Sequence, residues 1–316
     1  MTTPTAPPRV GCVFRPQLPP ERLAAAARVA DDAGLDELWL WEDCFATGGI
    51  SAAAIALSHS ETLTVGVGVL PAPMRNVALT AMELATLERA FPGRVRIGVG
   101  HGVQDWMGQI GARVSSPMMF LREYLTCLAA LLRGETVTYS GRYVQLADVR
   151  LEWPPNPDIE LLAAATGPRT LALSGELSSG TILTSGTTPD GVREALGHIN
   201  SGLERAGRAD AHSVIVNIVA ATGADARADA MRELEFWQLD PTQDVAAFGS
   251  AKDIAGSVRA WLAAGADTVV LQPAADVDIE SFVTFVGSEV APMLKAGESA
   301  EASHAAIDLQ GLSGEI

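Results

Sequence analysis

Short runs of β-branched and other apolar residues alternate along most of this chain with longer Ala- and Leu-rich stretches at helical spacing. Each short run predicts a strand and each longer stretch a helix, a pattern typical of a parallel sheet with crossover helices. Eight such units in a row predict one (β/α)8 TIM barrel of the α/β class. The predicted strands are residues 10–14, 37–41, 63–70, 95–99, 159–164, 181–184, 214–221 and 268–271.

Two segments depart from this rhythm. Residues 134–151 contain ETVTYSGRYVQL, two alternating stretches around Ser140-Gly141, and predict a hairpin outside the barrel, after the helix at 117–132. Residues 227–248 predict an irregular, partly helical insertion before the last barrel helices at 251–264 and 279–294. We therefore expect one domain over 1–295, followed by a small, polar and acidic tail over 296–316 that is loosely ordered.

A doubly wound nucleotide-binding fold is the structural alternative. That fold expects GxGxxG between its first strand and first helix, where this chain reads RPQLPPE. The alternative therefore lacks its most specific signal.

Charge and composition exclude several classes of protein. With 48% hydrophobic and 19% charged residues, the chain is too apolar for wholesale disorder. The 22 basic against 38 acidic residues give a net charge of −16, which repels nucleic acid and anionic membranes alike. Apolar stretches are too short for a membrane span, the first ten residues show no secretory pattern, and three scattered cysteines fit a reducing compartment. We expect a cytoplasmic protein without nucleic-acid or membrane partners.

The active site of a TIM barrel lies at the carboxyl ends of its strands, which makes the residues just after each strand the candidates. Glu42, Asp43 and Cys44 follow the second strand, and Gly100 and His101 follow the fourth. After the fifth strand the chain reads Thr166, Gly167, Pro168, Arg169 and Thr170 and then enters a helix, whose free N–H groups favour an anion. The sequence contains no HExxH motif and no Cys/His cluster, and so we predict no metal site.

Four of these segments carry a resemblance to a known family. WLWEDCF, VGVGVLPAPMRN, PGRVRIGVGHGVQDWMGQIG and AAATGPRTLALSGE resemble the bacterial luciferase-like flavin oxidoreductases, and most of all the branch that uses the deazaflavin coenzyme F420. The resemblance implies hydride transfer between C5 of F420 and a small organic substrate. An FMN-dependent monooxygenase of the same superfamily is the alternative, and a flavin-binding protein without turnover is the alternative of another class.

The resemblance also implies roles for particular residues. A cis peptide bond at Gly68-Val69 is expected to support the middle ring of the cofactor, whose phosphate would lie at the helix start formed by Gly167, Pro168, Arg169 and Thr170, with Thr166 beside it. Arg75 and Arg169 are candidates for the phosphate or the acidic cofactor tail, and Gly100 is placed with the cofactor-binding residues. The structural alternative for Gly66 and Gly68 is relief of crowding in a barrel strand.

Asp43 and His101 are the predicted catalytic residues, flanking the reactive edge of the ring and moving the proton that accompanies the hydride. Their structural alternatives are a solvated loop carboxylate and a packed core histidine. Two positions depart from the resemblance, because Cys44 replaces a frequent His and Val103 stands where the dehydrogenases carry a glutamate acid. Trp39, Trp41, Trp106 and Phe45 could stack on a ring or fill the barrel.

The family usually pairs its barrels through the second and third helices. The apolar residues of the helix at 77–90 (VALTAMELATLERA) exceed the needs of an exposed barrel helix, which predicts a homodimer.

Overall fold

Eight parallel strands close into a barrel in the computed structural model, which describes residues 8–156 and 159–296. Around the ring the order is β1–β2–β3–β4–β7–β8–β9–β11, and β11 pairs back to β1. The predicted (β/α)8 TIM barrel is confirmed. The strands of the ring are β1 (Arg9–Phe14), β2 (Glu37–Leu40), β3 (Thr64–Pro71), β4 (Val95–Gly100), β7 (Glu160–Ala164), β8 (Gly180–Leu183), β9 (Ser213–Thr222) and β11 (Thr268–Pro273).

Helices follow the strands and cover the outside of the ring. They are α1 (Leu23–Asp32), α2 (Gly49–Ser58), α3 (Val77–Ala90), α4 (Gln104–Gln109), α5 (Pro117–Leu132), α6 (Pro168–Leu177), α7 (Pro189–Ala206), α8 (Ala226–Phe236), α9 (Ala251–Ala263) and α10 (Ile279–Phe285). A π-helical turn at Val286–Val290 continues α10. The predicted tail, 296–316, lies outside the described residues except for Ala296, which is still helical. None of the helices in the described ranges has both the length and the apolarity that spanning a membrane requires.

The predicted hairpin is present outside the barrel. It consists of β5 (Val137–Ser140) and β6 (Gln145–Val149), which pair antiparallel with each other only. Glu123 of α5 accepts the backbone N–H groups of Arg142, Tyr143 and Val144 at the turn. These bonds fasten the hairpin to α5.

The insertion over 227–248 is more regular than the sequence indicates. It contains the eleven-residue helix α8 and a ninth parallel strand, β10 (Ala246–Gly249). Strand β9 has ten residues, but β8 pairs only with Ser213 to Val216, which leaves the edge of β9 open further along. Strand β10 takes that edge and pairs with Val219 to Thr222.

Trp39 fills the middle of the barrel. Its side chain is fully buried, and a Cβ on Gly11 or Gly66 would lie 2.9 or 2.4 Å from the indole ring. Glycine at these positions therefore makes room for the indole. For Gly66 this agrees with the structural alternative, relief of crowding in a barrel strand. The indole N–H donates to Glu37 at 2.7 Å.

A polar network closes the amino-terminal end of the barrel. Arg96 of β4 donates to Glu37 of β2 at 2.8 Å, to Glu160 of β7 at 2.7 Å and to Thr268 of β11 at 3.0 Å. Trp39 occupies the middle of the barrel, and this network occupies its amino-terminal end. Space for a ligand therefore remains at the carboxyl ends of the strands.

Candidate active site

A cavity of about 300 Å³ lies at the carboxyl ends of the barrel strands. Six strands or their ends contribute to its wall, and α4 and the residues that follow α8 cover it. The lining residues are Trp41, Asp43, Gly68, Val69, Val103, Trp106, Ala164, Ile182, Thr184, Ser185, Asn217, Trp237, Leu239 and Gln272. The site of a TIM barrel is expected at this end.

A larger cavity, of about 480 Å³, lies between α5 and α6. Its wall includes Leu161 near the start of β7, and Ser178 and Ser179 just before β8. Because these residues belong to the amino-terminal end of the barrel, we do not assign the active site there.

The Gly68-Val69 peptide bond is cis, as predicted from the sequence. Both residues line the 300 Å³ cavity, and the pairing of β3 with β4 shifts register between Val67 and Leu70. A Cβ on Gly98 or Gly100 would lie 2.8 or 2.9 Å from the side chain of Val69. Gly100 is thus behind Val69, where the absence of a side chain leaves room for the bulge.

Asp43 lies in the cavity wall. Every second residue of the second strand and its continuation points into the barrel, from Glu37 through Trp39 and Trp41 to Asp43. Burial raises the pKa of the Asp43 carboxyl, and the positive charge of Arg15 opposes this rise. The carboxyl makes no hydrogen bond to any side chain or backbone group in the described ranges, and so it is available to a ligand.

Glu42 and Arg75 are engaged with each other instead. Glu42 is buried, accepts the backbone N–H of Gly49 at the start of α2, and binds Arg75 at 2.7 and 3.2 Å. Arg75 also donates to Glu83 at 2.9 Å. Because of these bonds we interpret Glu42 as a structural residue of the barrel. Arg75 is not among the residues that line the cavity.

His101 follows β4 and is half-buried, but it is not among the residues that line the cavity. Burial lowers the pKa of its imidazole, against the opposing effect of the Pro117 backbone. Its Nδ1 is buried without a hydrogen-bond partner in the described part of the chain. The structure therefore brings Asp43, but not His101, to the cavity.

The start of α6 borders a second cavity of about 330 Å³. Thr166 and Pro168 line it, together with the start of α7, and it shares Thr184, Ser185 and Leu239 with the first cavity. Gly167 is the N-cap, Arg169 is exposed, and the Thr170 hydroxyl donates to the sulfur of Met118 at 3.2 Å. The two cavities therefore lie side by side, one at the barrel mouth and the other at this helix start.

The aromatic candidates separate in the structure. Trp39 fills the barrel, Trp41 and Trp106 line the cavity, and Phe45 is 65% exposed. Trp237, which the sequence analysis did not single out, also lines the cavity and packs edge-on against Trp41 with ring centres 6.1 Å apart.

Buried polar residues on β9, β11 and α8 were missed from the sequence. Asn217 and Gln272 line the cavity, while Glu233 of α8 is buried behind it. Glu233 accepts bonds from Arg15 at 2.6 Å, Gln272 at 2.9 Å, the Trp237 indole at 2.7 Å and the backbone of Ala275 at 3.1 Å. One signal could have found part of this set, because Asn217 and Gln272 stand two residues after the inward-facing Ile215 and Val270.

A family model for luciferase-like monooxygenases matches residues 5–290. The chain belongs to this family. Among the described residues no group of His, Cys, Asp and Glu side chains could hold a metal ion.

Two relatives are similar in sequence to this chain over 77% and 61% of their own length. A 5,10-methylenetetrahydromethanopterin reductase of Methanolobus tindarius is 27% identical over 274 residues, which cover 85% of this chain and 77% of the relative. An F420-dependent glucose-6-phosphate dehydrogenase of Microbacterium testaceum is 28% identical over 205 residues, 61% of each chain.

Solved structures share the fold. The coenzyme F420 dependent tetrahydromethanopterin reductase from Methanopyrus kandleri superposes with a TM-score of 0.78 at 20% identity, over 92% of this chain and all of that one. An F420-dependent secondary alcohol dehydrogenase, solved with an F420-acetone adduct, superposes with a TM-score of 0.79 at 18% identity, over 90% of this chain and 98% of that one.

Proposed function

We propose that this luciferase-like protein is an F420-dependent oxidoreductase that acts on a small organic substrate. The observation that carries the proposal is the cavity at the barrel mouth, where the Gly68-Val69 bulge lies in the same wall as the free carboxyl of Asp43. The similar F420-dependent glucose-6-phosphate dehydrogenase and the two F420-dependent enzymes that share the fold support the cofactor.

The residues present fit a deazaflavin. Gly98 and Gly100 leave Val69 free to face the cavity, and Trp41, Ala164 and Ile182 add apolar surface suited to a flat ring. The second cavity would take the phosphate and tail beside Thr166, Gly167, Pro168 and Thr170, with Arg169 exposed nearby. Because Arg75 already binds Glu42 and Glu83, Arg169 suits the acidic tail better.

When bound, the deazaflavin would supply or accept a hydride at its C5 position. Asp43 would hold the substrate through a hydrogen bond and give or take the accompanying proton, because its raised pKa makes the protonated form easier to reach. The rings of Trp41, Trp106 and Trp237 in the cavity wall would limit the access of water to this exchange. We do not propose a sugar phosphate as the substrate, because Val103 stands where the similar dehydrogenases carry a glutamate acid and lines the cavity as an apolar side chain.

Equilibrium titration with F420 and with FMN, followed by fluorescence quenching, tests the cofactor. We expect F420 to bind at least about tenfold more tightly than FMN, a difference of about 1.4 kcal/mol. Tighter binding of FMN would favour an FMN-dependent monooxygenase instead, and binding of neither would overturn the proposal.

Two glycine variants locate the binding site in the same titration. Gly100→Ala pushes a methyl group against Val69, and we expect it to weaken F420 binding. Gly197→Ala is the matched control, since a Cβ there would meet nothing within 4 Å. Equal F420 affinity of the two variants would place the ring away from the bulge.

A further inference from the structure

Asn217 presents a buried, unused hydrogen-bond acceptor to the cavity. The residue is only 4% exposed and lies in the cavity wall on β9. Its Nδ2 donates to the backbone carbonyl of Leu183 at 3.3 Å, while its Oδ1 has no hydrogen-bond partner within the described ranges. Because the carbonyl of Leu183 can only accept, it fixes the orientation of the amide and leaves the oxygen for a donor from elsewhere.

The neighbouring polar groups do not supply that donor. Gln272 accepts the hydroxyl of Ser185 at 3.0 Å and donates to Glu233 at 2.9 Å. The Trp237 indole N–H also donates to Glu233. A buried acceptor without a partner is costly, and a ligand that carries an O–H or N–H group would satisfy it.

The position of Asn217 in the ring indicates which ligand supplies the donor. Strands β3 and β9 are four places apart in the ring of eight, and therefore Asn217 faces the Gly68-Val69 bulge across the barrel. If the bulge supports one face of the deazaflavin, as the proposed function has it, the side toward β9 is left for the substrate.

We propose that Asn217 determines substrate specificity by accepting a hydrogen bond from an O–H or N–H group of the substrate. This inference rests on the proposed function for the placement of the ring. The substrate class is a small, largely apolar molecule with one such donor, because the rest of the wall is mainly aromatic and aliphatic.

The test compares two probes of equal size, cyclohexanol with a donor and cyclohexanone without one. Their affinities are measured by ligand-observed NMR with wild type and Asn217→Leu, with and without F420. We expect the ratio of alcohol to ketone affinity to fall by about threefold to tenfold in Asn217→Leu, the range of one neutral hydrogen bond. Asn200→Leu, at an exposed position of α7, is the control and should keep the wild-type ratio.

Two further readouts separate this role from a structural one. The melting temperature of Asn217→Leu without ligand should stay close to that of wild type, because the substitution removes an unsatisfied acceptor together with the bond from Nδ2 to Leu183. Asn217→Asp serves if the leucine variant does not fold. At a pH where its carboxyl is protonated it keeps the shape, a donor for Leu183 and an acceptor oxygen, and it should then retain the probe ratio.

An unchanged probe ratio in Asn217→Leu would overturn the inference, and so would a loss of F420 affinity without a change in the ratio, which would assign the oxygen to the cofactor. The proposed function fails if wild type does not bind F420. In that case the ratio of alcohol to ketone affinity, measured without cofactor, still decides the role of Asn217.

Discussion

Among single residues, Asp43 is the one on which the proposed chemistry depends most. It is the sequence-predicted catalytic residue that the structure brings to the cavity, and its carboxyl is free to bind a ligand. We expect Asp43→Asn to lower the turnover number by about 10²- to 10⁴-fold, as loss of a positioned acid or base does, with little change in F420 affinity. Steady-state kinetics and fluorescence titration measure the two quantities.

The control for that variant is Asp190→Asn, since this side chain is 92% exposed at the start of α7. Wild-type turnover in Asp43→Asn, combined with a loss of F420 affinity, would mean that Asp43 only seats the ring. His101→Ala tests the other predicted residue in the same assay, and we expect a smaller effect because His101 does not line the cavity.

The same carboxyl makes stability depend on pH. Burial raises the pKa of Asp43 above its ordinary value of 3.8, and the folded state therefore binds the proton more tightly than the unfolded chain does. The free energy of unfolding contributed by this group falls as pH rises from 3.8 through the raised pKa. The side chain of Asp43→Asn cannot ionise. We therefore expect the melting temperature of this variant, relative to that of wild type, to increase from pH 4 to pH 7. A difference that is independent of pH would contradict this.

How far single site residues were predictable depends on the range of their contacts. The cis bond at Gly68-Val69 was expected from the family resemblance of a local motif, and Asp43 from its position just after the second strand. The ion pairs of Arg75 join residues 33 and 8 positions apart, and those of Glu233 reach Arg15 across 218 positions. Such partners depend on how the elements pack, which the sequence pattern does not contain.

Among the elements, α8 is the one that ties the cover of the cavity to the barrel. Glu233 accepts the guanidinium of Arg15, whose side chain is 5% exposed. Replacing Glu233 by Ala leaves a buried positive charge without its partner, and we expect a loss of about 3 to 5 kcal/mol in the free energy of unfolding. Urea denaturation measures it.

Glu235→Ala is the matched control, because Glu235 is exposed on the same helix. We expect its stability to stay within about 0.5 kcal/mol of wild type. Equal stability of the Glu233 and Glu235 variants would show that α8 is not held by the buried carboxylate.

The regular elements were predictable because their apolar periodicity is strong, as in α5, which has the predicted bounds Pro117–Leu132. The insertion was not. Strand β10 has four residues, and it forms because β8 is too short to cover the edge of β9. Helix α4 has six residues and lies between the predicted strand at 95–99 and the predicted helix at 117–132, where the sequence analysis assigned no element. Elements this short are set by their neighbours more than by their own sequence.

For the whole molecule, exposed apolar side chains on α2, α3 and the segments before them support the proposed homodimer. Leu79 and Met82 of α3 are 47% and 58% exposed, and Phe45, Ile55 and Met74 are exposed on the neighbouring segments. We expect light scattering at micromolar concentration to give the mass of a dimer and Leu79→Arg/Met82→Arg to give a monomer. Met293→Arg, in the helical residues that follow the π-helical turn, should stay dimeric. A monomeric wild type would reject the proposal.

The central claim for the molecule is that a deazaflavin binds over Gly68-Val69 in the barrel mouth. A crystal structure of the complex with F420 tests it most directly. We expect the ring to lie against the bulge, Asp43 to lie within hydrogen-bond distance of the ring or of a bound substrate, and the phosphate to lie at the start of α6. Density for the cofactor in the 480 Å³ cavity between α5 and α6, or a ring on the β9 side of the mouth away from Val69, would contradict it.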